Sequence, residues 1–307
     1  MMARVRPFFP VTLILGLSSC LPRALAWGAM GHETVAYIAQ NFIAPSTAAF
    51  CKEILGSTAN SSSSYLASVA PWADSYRYTE GGEFSSVFHY IDANDDPPVS
   101  CGVEFERDCP SEGCIVSAIQ NYTELLLDSG TSHALKLDAL RFIIHFIGDI
   151  HQPLHDEALA VGGNEISVTF NGSIENLHHI WDNNIPEAHA GGSSLSTAQI
   201  WATQLTTKIR SGAYRCKAAS WVADLDIADP RATAMGWARD ANAYVCSTVL
   251  EPGFEYLEEV DLAGEYYEAA RPVVEELVAR AGYRLAAWLD LIAGAVGGRD
   301  ECGRLYL

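Results

Sequence analysis

The chain has 307 residues, 49% apolar and 10% aromatic, with 38 acidic against 19 basic side chains and a formal charge of −19. Enough apolar and aromatic side chains for a substantial core exclude an intrinsically disordered chain, and the acidic balance excludes a generic duplex-DNA binder, which needs a basic footprint. Collagenous and multi-span membrane classes are excluded as well.

Arg4 and Arg6 precede an apolar run from Val11 to Leu17, and Ala24-Leu25-Ala26 supplies an Ala-x-Ala cleavage site. This predicts a secretory signal peptide over residues 1–26, cut before Trp27. Its apolar run is too short to span a bilayer, and no later apolar run reaches the about 18 residues a membrane helix needs, so a secreted, extracellular, soluble protein is expected. Cleavage removes Arg4, Arg6 and Arg23 and deepens the negative charge; it also removes Cys20 and leaves Cys51, Cys101, Cys109, Cys114, Cys216, Cys246 and Cys302. In an oxidising compartment most of these should pair, with one left over or paired between chains. Asn60, Asn121 and Asn171 each open an Asn-x-Ser/Thr sequon, which fits a secreted eukaryotic glycoprotein.

Helical periodicity dominates the mature chain: Met30 to Ile43, Ile115 to Leu127 and Ala134 to Ile150 recur with helical spacing. Ile166, Val168 and Phe170 alternate before Asn171-Gly172, which predicts one small hairpin. Asp229-Pro230 is an N-cap and first-turn pair opening a helix to about Leu250. Glu255 to Ala270 and Pro272 to about Ala293 read as two helices, or as one kinked at Pro272. Ser61 to Ser64 and Gly191 to Ser194 are too brief to be linkers. The expected architecture is mainly α, a single-domain helical bundle over residues 27–307 with a small β-hairpin.

The chemistry concentrates in the histidines. Of the chain's 9 His, seven (32, 89, 145, 151, 155, 178 and 179) fall in motifs between Trp27 and Asp182, each close to an Asp or Glu; His133 and His189 stand outside those motifs. His145 and Asp149 stand one helical turn apart, as do His178 and Asp182, and Pro153 ends the first helix so that a turn can return His155 toward it. Such pairs on facing helices build metal sites in helical cores, and imidazole with carboxylate suits zinc. A single pair is more often a surface hydrogen bond; two among Phe, Ile, Leu and Trp are better satisfied by a cation, since unpaired buried polar groups are costly. Trp72-Ala-Asp74-Ser-Tyr-Arg77 and His89-Tyr-Ile-Asp92 add further candidates. Cleavage before Trp27 would also free an α-amine of pKa about 7.7–8.0, able to deprotonate and bind metal near His32.

Taken in order, Trp27-Gly-x-x-Gly-His32, Trp72-Ala-Asp74, His89-Tyr-Ile-Asp92, His145-Phe-x-Gly-Asp149-x-x-Gln-Pro-Leu-His155, Gly162-Gly-Asn164 and Leu177-His178-x-x-Trp-Asp182 resemble the secreted single-strand-specific zinc nucleases. These are the nuclease/3′-nucleotidase or mung-bean type, which share the phospholipase C fold. The resemblance implies three Zn²⁺. Asp74, His89, His145 and Asp149 would hold the first, His155, His178 and Asp182 the second, and the Trp27 amine and carbonyl with His32 the third, Asp149 bridging. His151 and His179 are left as structural histidines. The resemblance makes Asp74 the group that orients the attacking water and Arg77 the cation facing the phosphoryl group, and it places the leaving 3′ oxygen on the remaining zinc, so that products carry 5′-phosphates. Tyr90, Asp92, Val161 and Asn164 match the base pocket, with Tyr90 where the family usually carries Phe. Cys109–Cys114 and Cys101–Cys246 match its bridges; Cys51, Cys216 and Cys302 stay unassigned, with Cys302 a candidate partner for Cys51.

Three zinc ions against Asp74, Asp149 and Asp182 leave a local charge of about +3, which attracts phosphate in an otherwise acidic chain. The implied partners are single-stranded DNA and RNA and 3′-mononucleotides, with no membrane partner, an acidic optimum and a monomeric state. The alternatives are a zinc phospholipase C of the same fold, which would need an apolar lipid-facing rim that the sequence does not show near the motifs, and a non-catalytic zinc-binding protein.

Overall fold

The Ala29–Phe42 helix is apolar around most of its circumference, with Met30 through Ile38 almost wholly buried, which marks it as a central helix. In the computed structural model, which describes residues 27–56 and 63–297, it is enclosed by the Leu195–Ser211 and Glu265–Gly297 helices and by His133–Asp149. Close approach to the long C-terminal helix depends on Gly282, where a Cβ would come within 2.5 Å of Ile38 Cβ. The expected signal peptide, the Asn60 sequon and Cys302 lie outside the described residues.

The fold is mainly α, as expected. The Ile115–Leu127 helix has its predicted bounds and packs along His133–Asp149, whose N-cap Ser132 accepts from Leu135 N–H. Asp229 caps the Pro230–Tyr244 helix through Ala232 N–H at 3.0 Å, and the chain continues as a π-helical turn over Val245–Val249. Helices at Pro45–Leu55 and Leu195–Ser211 add to those expected. Among the described residues the sheet is one antiparallel hairpin, Ser167–Phe170 with Ser173–Asn176, turning through Asn171 and Gly172 at φ 51° and 76°.

The C-terminal expectation needs correcting. Glu255 to Ala270 is not one helix: Phe254–Glu259 stops, and a separate helix runs unbroken from Glu265 to Gly297 through Pro272. The break comes from the hairpin. The Asp261 carboxylate accepts from the N–H groups of Asn171, Gly172 and Ala263, and Leu262 N–H donates to Thr169 O at 2.8 Å. The backbone between the two helices is thereby committed to the hairpin.

Disulfides join Cys101 to Cys246 and Cys109 to Cys114. Cys51 is buried and Cys216 exposed. No helix is long and apolar enough to cross a membrane among the described residues.

Candidate metal centre

The last turns of the His133–Asp149 helix carry His145 and Asp149, both fully buried. His145 Nδ1 donates to Ala70 O at 2.7 Å, so its Nε2 lone pair faces the interior. The Trp72–Tyr76 helix delivers Asp74, and a 3₁₀ turn from Glu83 ends on His89. His89 Nδ1 lies 2.9 Å from Asp149 Oδ2 and 3.1 Å from His145 Nε2, and Asp74 Oδ1 is 3.6 Å from His145 Nε2. From the central helix, His32 places Nε2 3.0 Å from Asp149 Oδ1 and stacks on the His145 ring at 3.9 Å. Gly148 makes this possible, because a Cβ there would sit 2.7 Å from His32 Nδ1.

The second group forms just beyond. Gln152 Oε1 accepts from Leu154 N–H and caps a 3₁₀ turn, Pro153–Asp156, which carries His155. His178 stands on the short Leu177–His179 helix, and Asp182 on the π-helical turn that continues it, Ile180–Asn184. His155 Nδ1 donates to His89 O at 2.7 Å and His178 Nδ1 to Gly162 O at 2.6 Å. The two Nε2 atoms then oppose each other at 3.0 Å, with Asp182 Oδ2 3.2 Å from His178 Nε2. Gln152 Nε2 donates to the other Asp182 oxygen at 2.5 Å.

This geometry demands positive charge. With each Nδ1 proton committed to a carbonyl oxygen, two Nε2 lone pairs cannot face each other unless a proton or a metal ion lies between them. Asp182 Oδ2, buried and without a hydrogen-bond donor, asks for the same. In the metal-free chain burial holds His32 down to about 4 and His89 and His155 to about 3, so all three are neutral imidazoles ready to ligate. Burial opposes charge on His145 as well, but Asp149 and Asp74 outweigh it and raise it to about 9. Burial also pushes Asp74 up to about 7, with Asp149 adding and His145 and Arg77 opposing. Asp149 is held well below the carboxylate range by His145 and His32 despite its burial. Three groups result whose ligand atoms all lie within 4.8 Å of one another: His32, His145 and Asp149; Asp74, His89 and His145; His155, His178 and Asp182. They fit a trinuclear metal site.

A family model described as S1/P1 Nuclease matches residues 27–294. The chain belongs to the S1/P1 nuclease family. It is 57% identical to Nuclease S1 of Aspergillus oryzae over 95% of this chain and 99% of that protein. It is 50% identical to Nuclease P1 of Penicillium citrinum over 88% and 98%, and 31% identical to Endonuclease 3 of Arabidopsis thaliana over 93% and 95%.

Around the metal groups of this S1/P1 nuclease lie the other residues singled out in the sequence. Trp27 is fully buried, and Gly28 N–H donates to Asp182 O at 2.8 Å, which seats the Trp27–Gly28 junction beside the second group. Arg77 Nη2 is 3.5 Å from Asp74 Oδ1. Tyr90 and Asp92 are exposed on an extended segment whose Ile91 N–H reaches His155 O at 2.8 Å and whose Ala93 O accepts from Ala158 N–H. Val161, 62% exposed, sits in a left-handed run, with φ of 49°, 56°, 59° and 76° from Ala160 to Gly163, and Asn164 Nδ2 donates to Val161 O. A β-branched residue there is strained, and the same turn supplies the carbonyl that orients His178. His151 stands apart: its Nδ1 donates to Ile147 O, and Nε2 meets Arg284 at 3.1 Å. His179 lies 3.9 Å from Glu175, outside the three groups.

Sequence reasoning passed over Gln152 and Gly148. Both lie within the motif from His145 to His155, and a glycine inside an apolar helix is itself a signal of close approach.

Proposed function

We propose that this S1/P1 nuclease is a secreted endonuclease that uses three Zn²⁺ to hydrolyse phosphodiester bonds of single-stranded DNA and RNA to 5′-phosphate products, with 3′-nucleotidase activity on 3′-mononucleotides. The observation that carries this reading is the convergence of three imidazole–carboxylate groups beside Arg77. When bound, zinc supplies Lewis acidity and lowers the pKa of water to near neutrality. Its proposed ligands are Asp74, His89, His145 and Asp149; His155, His178 and Asp182; and His32 with the Trp27 amine and carbonyl.

Asp74, nearly buried and facing both His145 and Arg77, orients the attacking water. Arg77, its side chain 10% exposed, offers a guanidinium fork to the phosphoryl oxygens as their charge grows. Tyr90 and Val161 grip a base between them, and Asp92 and Asn164 bond its edge; Asn164 is braced for this by its bond to Val161 O. Only an unstacked base can enter such a grip, which is the physical source of single-strand preference.

Removal of a signal peptide before Trp27 would create the terminal amine, and the buried Trp27 ring supports a fixed terminus there. Asn121 and Asn171 are exposed, as glycan acceptors must be. Membership of this family favours nuclease over phospholipase C. The test uses protein whose N-terminus has been sequenced as Trp27. Cleavage of denatured in preference to duplex DNA, abolished by chelation and restored by zinc, is expected. Absence of cleavage from the zinc-loaded protein would overturn the proposal.

A further inference from the structure

The backbone that carries Tyr90 and Asp92 is tied down from two directions. Through Ile91 and Ala93 it is bonded to His155 and Ala158, on the stretch that leads to Val161 and Asn164. Toward the other side, Ile115 N–H donates to Tyr90 O at 2.9 Å, and Asn94 N–H donates at 3.1 Å to the Asp108 carboxylate. Asp108 ends the short Phe105–Asp108 helix and is buried.

Asp108 is saturated with donors. Its Oδ1 accepts from Asn94 N–H and from Arg107 Nε at 2.6 Å, and its Oδ2 from Glu104 N–H at 2.7 Å and Arg107 Nη2 at 2.8 Å. These bonds fill the lone pairs of one carboxylate. Arg107 Nη2 also donates to Gly102 O at 2.6 Å, and Gly102 N–H donates to Asp95 Oδ2 at 2.8 Å. The knot thus grips the Tyr90–Asp95 segment at a second point. Burial pushes the Asp108 carboxyl up, but Arg107 and the two backbone amides outweigh it and hold it below the usual carboxylate value.

None of the three metal groups includes Asp108 or Arg107, so the knot serves the segment rather than the ions. Asp92 needs such service. Its side chain is exposed, so packing around the side chain does not fix its position, whereas a carboxylate that bonds a base edge must be held to within about 0.5 Å. The constraint has to come from the backbone on either side of it.

We propose that Asp108, clamped by Arg107, is a positioning residue for nucleobase recognition: by fixing the backbone at Asn94 it sets the reach of Asp92 to the base edge. The inference rests on the base pocket proposed above and deepens it, since it names what holds that pocket in shape.

The test measures KM and kcat separately for a 3′-mononucleotide and for methyl riboside 3-phosphate, which keeps the sugar and phosphate but has no base. The proteins are zinc-loaded wild type, Asp108→Ala, Asp108→Asn and Arg107→Met. Asp108→Ala should raise KM for the mononucleotide about 10-fold, as expected for one hydrogen bond to a charged group, with kcat within about twofold of wild type because the lost binding is uniform. KM for the baseless substrate and the zinc content should stay as in wild type, a pattern that general loosening of the fold would not give. Asp108→Asn, which keeps one acceptor oxygen, and Arg107→Met, which spares the bond to Asn94, should each give a smaller rise. These two decide the question if Asp108→Ala does not fold. In an Asp92→Ala background, Asp108→Asn should raise KM no further. An unchanged mononucleotide KM, or an equal loss on both substrates, overturns the role of Asp108 and leaves the base pocket standing. A wild type with the same KM for both substrates overturns the pocket and this inference with it.

Discussion

Replacing Gly148 by Ala tests whether the His32 position is built by close approach. Gly148 is the next-to-last residue of the His133–Asp149 helix, where alanine would ordinarily gain about 1 kcal/mol in helix propensity. Against this, the added methyl would lie 2.7 Å from His32 Nδ1 and 3.0 Å from Cε1, and His32 has little room to retreat. Its ring is stacked on His145 at 3.9 Å, and its helix is pressed on the other side against Gly282. Overpacking of this kind costs about 1–3 kcal/mol, so sterics should override propensity and displace the imidazole from Asp149. The expected result is a zinc content reduced by one ion per chain and kcat/KM lower by about 10- to 100-fold, in the range seen when a ligand's positioning is lost. Elemental analysis after gel filtration and steady-state kinetics on single-stranded DNA are the assays. Gly236→Ala is the control: it lies in the Pro230–Tyr244 helix with nothing within 4 Å of an added Cβ, and should stabilise the protein by about 0.5–1 kcal/mol. Full zinc content and kcat/KM within twofold of wild type in Gly148→Ala would refute the reasoning.

Further predictions concern the same centre and its frame. Gln152→Leu removes the donor to Asp182 Oδ1 and should weaken metal binding at the second group about 10- to 100-fold, measured by competition with a chromophoric chelator. Arg77→Ala should lower kcat by about 10²–10³ on the strength of its proposed transition-state role, a value that single-turnover kinetics would check; an unchanged kcat would remove Arg77 from the chemistry. In chelator-stripped protein, His32, His89 and His155 titrate at about 4, 3 and 3 against an ordinary 6.5. At these three imidazoles the unfolded chain therefore binds more protons than the folded one, and their contribution to stability rises as pH rises from about 4 to 6.5. Glu33, Asp74 and Glu157, raised to about 7, 7 and 8, and Asp156, raised well above the carboxylate range, pull the other way in the same window, so the check is residue-resolved: an NMR titration in which the three imidazoles protonate near 6.5 would contradict their assignment as neutral. Opening Cys101–Cys246, which spans 145 residues, should cost about 2–5 kcal/mol in urea unfolding.

Local spacing made half of the metal centre legible. A separation of one helical turn places His145 beside Asp149 and His178 beside Asp182 whatever the rest of the chain does, because side chains four apart share a helix face. The second of these pairs proved to span a π-helical turn, yet the side chains still meet at 3.2 Å. Asn171-Gly172 likewise announced its hairpin, since both residues tolerate the positive φ the turn requires. The extent of the C-terminal helix was not legible, because what breaks the pattern at Asp261 is a set of hydrogen bonds to a turn far away in the chain.

By itself, then, the sequence determined residue types, helix faces and turn chemistry, which are properties of neighbours along the backbone. Tertiary structure decided what joins across elements. It brought His32 through the gap left by Gly148 and returned His155 against His89 O. It also spent the Nδ1 protons of His145, His155 and His178 on the backbone carbonyls of remote residues, Ala70, His89 and Gly162 in turn. The reason is physical: an imidazole's tautomer and reach depend on which acceptor stands behind it, and that acceptor is supplied by whichever part of the folded chain packs there.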